Sequence, residues 1–169
     1  MRHDGPLDPI DRLYPLLLRH FSLKIEHRAR FLQWKGNRSV HLQVLCLSNN
    51  PLIKNCVSSL EFIDGSSCDV IFRARDLIHL GWQLLGHPLY GNFHIKKHPY
   101  RTLVLQKREG GVEDSVALIE TALGACDQDE YKGVLPKDLP DSIAYDYSFL
   151  DRALMSETLR TYKLWINEP

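Results

Sequence analysis

An apolar run that ends abruptly in polar residues is the feature that most constrains the fold of this chain. Residues 40–47 are mainly apolar and include the β-branched Val40 and Val44; they alternate in part at their start and become continuously apolar at their end. This pattern is typical of a strand that is buried on both faces. The run stops at "SNNP", where Asn50 can cap a helix and Pro51 suits a first helical position. The pattern therefore predicts a strand, a polar loop and a helix start.

Further strand and helix patterns follow along the chain. They predict strands at residues 59–64, 68–74 and 101–107, and helices at residues 75–85, 113–126 and 148–166. Strands that alternate with helices through short connections indicate an α/β fold, here a small three-layer sandwich with a mostly parallel sheet of about four to five strands. This sheet would be Rossmann-like, although the chain has no glycine-rich dinucleotide fingerprint.

Polar residues follow the predicted strands where a parallel sheet would gather them at one edge. Ligands of such sheets bind outside the carboxyl ends of the strands. The loop at residues 48–51 would offer backbone N–H groups at a helix start, which suits an anion, and the loop at residues 86–100 can lie over it. We expect a small, anionic ligand, bound by Ser48, Asn49, Asn50, Arg75, His87, Asn92 and Arg101.

Asp76 and His79 support a catalytic alternative. They stand three residues apart on a predicted helix and would share one face, so that Asp76 could orient His79 as a general base. With Arg75 or Arg101 stabilising developing negative charge, the chain would be a hydrolase or a transferase. The simpler interpretation of Asp76 is a helix cap or an ion pair with a neighbouring arginine.

The distribution of charge adds a possible protein partner. The formal net charge is zero, but residues 12–38 hold seven basic residues and one acidic residue, as do residues 73–108, whereas residues 109–131 hold seven acids and no base. The central basic block favours an anionic ligand, and the first block could dock an acidic partner. Zero net charge and the lack of an aromatic-interleaved basic motif are not typical of nucleic-acid binding.

Several other classes of protein are poorly supported by the sequence. No run of about 18 apolar residues is present to span a membrane, and the N-terminus lacks the apolar core of a secretory signal. The four cysteines form neither CxxC pairs nor a zinc-ribbon spacing, and no histidine pair has HExxH-like spacing. We therefore expect a soluble, cytoplasmic protein, and we assign no metal ligands and no cofactor.

Four ordered motifs, "LSNNPLIKN", "DVIFRARDLIHLGWQLLGHPLYGNF", "HPYRTLVL" and "DYSFLDRAL", resemble the GrdX family. The family pattern has a strand ending in Thr-Asn-Asn-Pro, an Arg-Asp-x-x-His helix, a Leu-x-His-Pro-Leu-x-Gly loop and a strand starting with Pro-Tyr. This chain departs from the pattern at Ser48, which replaces the threonine, and in the basic insert "HIKKH" after Asn92.

The resemblance covers residues 40–154. It implies a GrdX-like α/β domain at residues 39–169 and leaves residues 1–38 outside as an N-terminal helical extension. Proteins of this family are encoded beside glycine, sarcosine and betaine reductase systems. The resemblance therefore implies an accessory protein of amino-acid fermentation, which either binds a small ligand or acts as a partner-binding or assembly factor of the reductase complex.

Overall fold

The structure, a computed structural model, describes residues 43–92, 95, 97–127 and 133–166. The strands of this described part are β1 (Val44–Ser48), β2 (Leu60–Phe62), β3 (Trp82–Leu84) and β4 (Thr102–Lys107). Its α-helices are α1 (Ser67–His79), α2 (Glu113–Asp127) and α3 (Asp141–Thr161). Short 3-10 turns lie at Tyr90–Asn92 and Pro136–Asp138.

The four strands form one mixed sheet in the order β2-β1-β4-β3. Strand β1 pairs with β2 in parallel, but β4 runs antiparallel to both β1 and β3. The predicted Rossmann-like sandwich with a mostly parallel sheet is therefore wrong. Because β4 runs antiparallel to β1, Thr102 at the start of β4 lies opposite Ser48 at the end of β1. The polar residues that follow β1 and those that precede β4 consequently meet at one edge of the sheet.

The predicted strand at residues 68–74 is wrong, because these residues are helical. Their β-branched residues resemble a strand, but the buried side chains recur at helical spacing, at Val70, Ala74 and Leu77. A capping box starts the helix: the Ser66 N–H donates to Asp69 over 2.7 Å, and the Asp69 N–H donates back to the Ser66 hydroxyl over 3.3 Å. Helix α1 therefore connects β2 to β3, which run in the same direction, and the departure from a parallel sheet comes from β4, which runs against β1 and β3.

The predicted helix at residues 75–85 is divided between two elements. Helix α1 ends at His79, and Gly81 then adopts a positive φ of 87°. This turn reverses the chain, so that Trp82–Leu84 pairs with β4 as strand β3. Trp82 and Leu84, predicted to face inward from a helix, are strand residues.

Several other predicted elements are confirmed, but residues 51–56 form turns where a helix start was predicted. The strands predicted at residues 59–64 and 101–107 correspond to β2 and β4, and the helix at residues 113–126 corresponds to α2. Helix α3 begins at Asp141, earlier than the predicted start at residue 148. The predicted N-terminal extension at residues 1–38 lies outside the described residues, as does the basic block at residues 12–38 that would dock a partner, so both stay predictions.

The core lies around the two central strands. Cys46 and Leu47 of β1 and Val104 and Leu105 of β4 are all buried. Helix α1 packs against α2 and contacts β1, β3 and β4, whereas α3 contacts β4. Within the residues described, no helix combines the length and the apolar character needed to cross a membrane.

Candidate functional site

Arg101 is a buried cation directly before β4. Its side chain is only 1% exposed, and its backbone N–H donates to the Asn49 side-chain oxygen over 2.7 Å. Its Nη1 donates to the Tyr90 carbonyl over 3.1 Å, and its guanidinium carbon lies 4.4 Å from the centre of the Tyr90 ring. The Nε and Nη2 atoms of Arg101 are buried and have no hydrogen-bond partner in the described part of the chain. Buried polar atoms are rarely left in this state.

The two unbonded nitrogens form one edge of the guanidinium group. Arg73 shows how such an edge is used, because its Nε and Nη2 bind the two carboxylate oxygens of Glu61 at 2.5 and 3.2 Å. This fork matches a carboxylate or a phosphate with two parallel hydrogen bonds. The corresponding edge of Arg101 can therefore accept an oxyanion in the same way.

Asn49 holds the backbone of Arg101 in place. Its amide nitrogen donates to the carbonyl oxygens of Pro99 and Gly65, at 2.7 and 2.9 Å, and its oxygen accepts from the Arg101 N–H. Both N–H protons of the side chain are thus in use. Asn49 therefore joins the end of β1 to the start of β4 and to the turn before α1, and it fixes the position of Arg101.

Asn50 joins β1 to helix α3. Its amide nitrogen donates to the Ser148 carbonyl and to Asp151 Oδ2, both at 2.8 Å. Its oxygen accepts from the Leu52 N–H at 2.9 Å and from the Ser148 hydroxyl at 2.7 Å. The amide group is therefore fully hydrogen-bonded within the protein.

Asp151 is fully buried and is the acceptor at the centre of this network. Its Oδ2 accepts from Asn50 and, over 2.7 Å, from the Thr102 hydroxyl, while its Oδ1 accepts from the Tyr90 hydroxyl. Because the Thr102 proton is used on Asp151, the Ser48 hydroxyl donates its own proton to Thr102 Oγ1 over 2.7 Å. Both carboxylate oxygens act only as acceptors, as those of an ionised carboxylate do.

His98 is the histidine nearest to this arrangement. Its Nδ1 lies 2.8 Å from the Tyr100 carbonyl oxygen, which can only accept, so Nδ1 carries a proton. Burial lowers the pKa of His98 below its usual range, and the positive charge of Arg101 lowers it further. The imidazole is therefore neutral near pH 7, and its ring packs edge-on against Tyr147 with the ring centres 4.9 Å apart.

Tyr90 and Cys46 are also neutral. Burial raises the pKa of Tyr90 well above its usual value, and the charge of Asp151 adds to the effect. Burial, and then the same charge, raise the pKa of the Cys46 thiol. Among the described residues, Arg101 and Asp151 are consequently the buried charged groups at this edge.

The predicted catalytic pair, Asp76 and His79, lies in the C-terminal part of α1. Asp76 Oδ1 accepts from Nε and Nη2 of Arg75, at 3.0 and 2.7 Å, in an ion pair whose side chains are 38% and 48% exposed. His79 is exposed at the end of the helix. The carboxylate of Asp76 thus binds Arg75. These contacts agree with the simpler interpretation of Asp76, which is an ion pair with a neighbouring arginine.

The structure does not bring Arg75, Asp76 and His79 to Arg101. Helix α1 has 13 residues, which corresponds to a length of about 20 Å. Its first end adjoins Gly65, which accepts from Asn49 beside Arg101. Beyond the C-terminal end of α1, the carbonyl of Leu80 accepts from the amino group of Lys107. Lys107 ends β4, whereas Arg101 directly precedes its start.

His87 and Asn92 lie on either side of Tyr90. His87 Nδ1 accepts from the Leu89 N–H over 3.1 Å, which closes the turn before Tyr90. Asn92 ends the 3-10 turn Tyr90–Asn92, and its side chain lies outside the described part of the structure. The contact of His87 therefore shapes the loop that carries Tyr90, and the roles of both residues in ligand binding stay predictions.

The loop after β1 differs from the predicted anion site at a helix start. Residues 51–56 form successive turns. The Asn50 N–H donates to the Ser48 hydroxyl over 3.0 Å, and the Leu52 N–H donates to Asn50 Oδ1. The Ile53 N–H donates to the Asn50 carbonyl over 3.1 Å. These backbone N–H groups are satisfied within the loop.

Tyr90, His98 and Asp151 did not emerge from the sequence as site residues. For Asp151 a signal was available, because Ser148 and Asp151 lie on the buried side of α3 with Met155. Two polar residues on an apolar face indicate a buried polar network, although Ser148 stands at the start of the helix predicted at residues 148–166. Among the described residues, no group of three or more His, Cys, Asp or Glu side chains is arranged to hold a metal ion.

The motifs that carried the family resemblance converge at this edge of the sheet. Each of the four contributes at least one residue to the contacts above, among them Asn50, Tyr90, Arg101 and Asp151. A family model described as GrdX-like protein matches residues 45–160. No curated protein and no solved structure matches the chain.

Proposed function

The chain belongs to the GrdX-like family, and from this premise we propose that it is a cytoplasmic accessory protein that binds a small carboxylate or phosphate at Arg101. The buried edge of Arg101, with Nε and Nη2 unbonded among the described residues, is the observation that carries the proposal. The setting that we propose is the glycine, sarcosine and betaine reductase metabolism to which the resemblance points.

The energetics of a buried guanidinium group support a ligand. Removing an ion from water costs several kcal/mol even in a relaxed protein interior. The contact with the Tyr90 ring and the one bond to its carbonyl offset part of this cost, since a cation–π contact contributes about 2 kcal/mol when desolvated. An oxyanion on the Nε and Nη2 edge would supply the missing charge and the missing acceptors.

The internal contacts of the neighbouring residues limit how the ligand binds. Asn49 and Asn50 use their side-chain amides on protein groups, so we assign them a positioning role. Arg101 is then the residue on which recognition depends. Ser48 belongs to the same framework, because its hydroxyl bonds Thr102 and the Asn50 N–H.

The test is thermal unfolding of the full chain at low ionic strength with acetate, inorganic phosphate and chloride. An oxyanion present at about 100 times its Kd would stabilise the protein by about 2.7 kcal/mol, which raises Tm by roughly 5 to 10 °C. Chloride should have no comparable effect, because it offers a single atom to the two donors of the fork.

The deciding variant is Arg101→Met, with Arg75→Met as its matched control on the exposed ion pair. Methionine fills a similar space without charge, and replacing an uncompensated buried ion by an apolar side chain is neutral or stabilising. We expect Arg101→Met to fold with unchanged or higher Tm and to lose the response to the oxyanion, while Arg75→Met keeps it. No response in the unaltered protein, or an equal response in Arg101→Met, would overturn the proposal.

A further inference from the structure

The charges around Arg101 narrow the class of ligand, provided that the proposed function holds. We infer that the site takes a small monoanionic carboxylate and discriminates against doubly charged phosphates. The inference rests on how many charges the protein places at this edge of the sheet and on which groups carry them.

Arg101 lies near two neutral side chains from one loop and one carboxylate from a helix. Tyr90 and His98 come from the loop before β4, and Asp151 comes from α3. Arg101 and Asp151 lie at opposite parts of Tyr90: Arg101 packs over the ring, and Asp151 accepts from the hydroxyl. No ion pair joins Arg101 to Asp151 within the described ranges.

The neutral groups do not add a second cation. His98 is neutral near pH 7 because burial and Arg101 both lower its pKa. Tyr90, and Cys46 on β1, stay protonated and neutral because their pKa values are raised. The buried residues described around the site thus provide one positive charge for a ligand, with one negative charge behind Tyr90.

A singly charged ligand balances this arrangement, and a doubly charged ligand does not. One carboxylate on the Nε and Nη2 edge of Arg101 neutralises the guanidinium group. A second negative charge would remain uncompensated in a buried region that already contains Asp151, and repulsion is weakly screened there. We expect the dianion to bind at least about tenfold more weakly than the matched monoanion.

The start of the neighbouring helix α1 does not compensate the second negative charge of a phosphate either. Phosphate sites commonly use the free N–H groups and the positive dipole at a helix start. At the start of α1 the Asp69 carboxylate already occupies this position, accepting from the Ser66 N–H and hydroxyl at 2.7 and 2.8 Å. The site is also enclosed, since Arg101 and His98 are 1% and 3% exposed, which favours a small ligand.

The test compares anions of one shape that differ by one charge. Methanesulfonate and methylphosphonate are both tetrahedral, but at about pH 9 the first is a monoanion and the second is almost entirely a dianion. Isothermal titration of the full chain at matched ionic strength would include these two, acetate, inorganic phosphate and neutral acetamide. We expect acetate and methanesulfonate to bind, methylphosphonate and phosphate to bind at least about tenfold more weakly, and acetamide not to bind.

The outcomes separate this inference from the proposed function. If the dianions bind as tightly as the monoanions and all binding is lost in Arg101→Met, the charge inference fails and the anion site stands. If no anion binds, or if binding persists in Arg101→Met, the proposed function fails as well. In Asp151→Asn, the preference for monoanions should shrink, whereas Asp146→Asn, an exposed change on the same helix, should leave it unaltered. If Asp151→Asn does not fold, the pair of matched anions still decides.

Discussion

The guanidinium group of Arg101 packs 4.4 Å from the centre of the Tyr90 ring. The hydroxyl of the same tyrosine donates to Asp151 and accepts from the Thr102 N–H over 2.8 Å. Tyr90 therefore stands between the cation and the carboxylate and is bonded to both β4 and α3. This arrangement leaves the Nε and Nη2 edge of Arg101 without a hydrogen-bond partner among the described residues, because Asp151 is engaged by three protein donors.

Tyr90→Phe should separate the structural role of the hydroxyl from the role of the ring. The variant keeps the ring under Arg101 and the carbonyl that accepts from Nη1, but it removes one donor to Asp151 and the acceptor of the Thr102 N–H. We expect the free energy of unfolding to fall by about 1 to 3 kcal/mol, with anion affinity within about threefold of the unaltered protein. Urea denaturation and isothermal titration measure the two quantities, and a large loss of affinity without loss of stability would contradict this division of roles.

Asp151→Asn should destabilise the fold more than any exposed change on α3. The asparagine would place an N–H donor where one carboxylate oxygen now accepts. At least one of the buried donors of Asn50, Thr102 and Tyr90 would then lose its acceptor. We expect a loss of about 2 to 4 kcal/mol in the free energy of unfolding. Asp146→Asn, on the same helix but exposed, should change it by less than about 0.5 kcal/mol. Equal effects of the two substitutions in urea denaturation would contradict the assigned network.

Asn49→Ala should affect both stability and anion binding. It leaves the buried carbonyl of Pro99 without this donor and the Arg101 N–H without its acceptor, which should lower the free energy of unfolding by about 2 to 4 kcal/mol. Because Arg101 then loses its backbone anchor, we also expect about a tenfold weaker anion affinity. Asn55→Ala, at an exposed position of the following turns, is the control and should change neither quantity. Unchanged affinity in a folded Asn49→Ala protein would show that Asn49 does not position Arg101.

Sequence reasoning succeeded where the pattern of one segment determines its structure. The buried strand β1, strand β4 and helix α2 each have a clear local pattern, and each was predicted. It failed at α1, because the β-branched residues Val70 and Ile71 favour strands. The signal for a helix was the capping box at Ser66 and Asp69, which the prediction did not take into account. The error removed one predicted strand from the sheet, since a helix took its place.

Part of the candidate site was predicted correctly, but the prediction assumed a parallel sheet, which the structure does not have. Asn49 and Arg101 were expected at one edge of a parallel sheet, and they meet because β4 is antiparallel to β1. The role of Asp151 depends on partners far away in the chain, such as Asn50, which lies 101 residues before it. A single sequence does not reveal such a contact. The net charge of a buried site and the number of its free hydrogen-bond acceptors depend on contacts of this kind, so neither was predicted.

His98 should make stability depend on pH in the mildly acidic range. Its pKa in the folded protein is lowered, first by burial and then by Arg101, whereas in the unfolded chain it is about 6.5. Between these two values the unfolded chain binds more protons, so stability rises with pH. The contribution of His98 is therefore fully present above about pH 6.5 and is lost as the pH falls through the folded-state pKa, by at most about 1.4 kcal/mol for each pH unit crossed. Urea denaturation between pH 7.5 and about pH 5 measures this slope.

The substitution that tests the assignment is His98→Asn, because its amide nitrogen can still donate to the Tyr100 carbonyl while the titrating group is removed. We expect the slope of stability against pH to decrease in this variant over the same range. The matched control is His79→Asn, at an exposed position at the end of α1, which should keep the slope of the unaltered protein. If the slope of His98→Asn equals that of the unaltered protein, the acid sensitivity comes from other groups. The view of His98 as a neutral neighbour of Arg101 would then lose its support, and with it one step in the charge count that favours a monoanionic ligand.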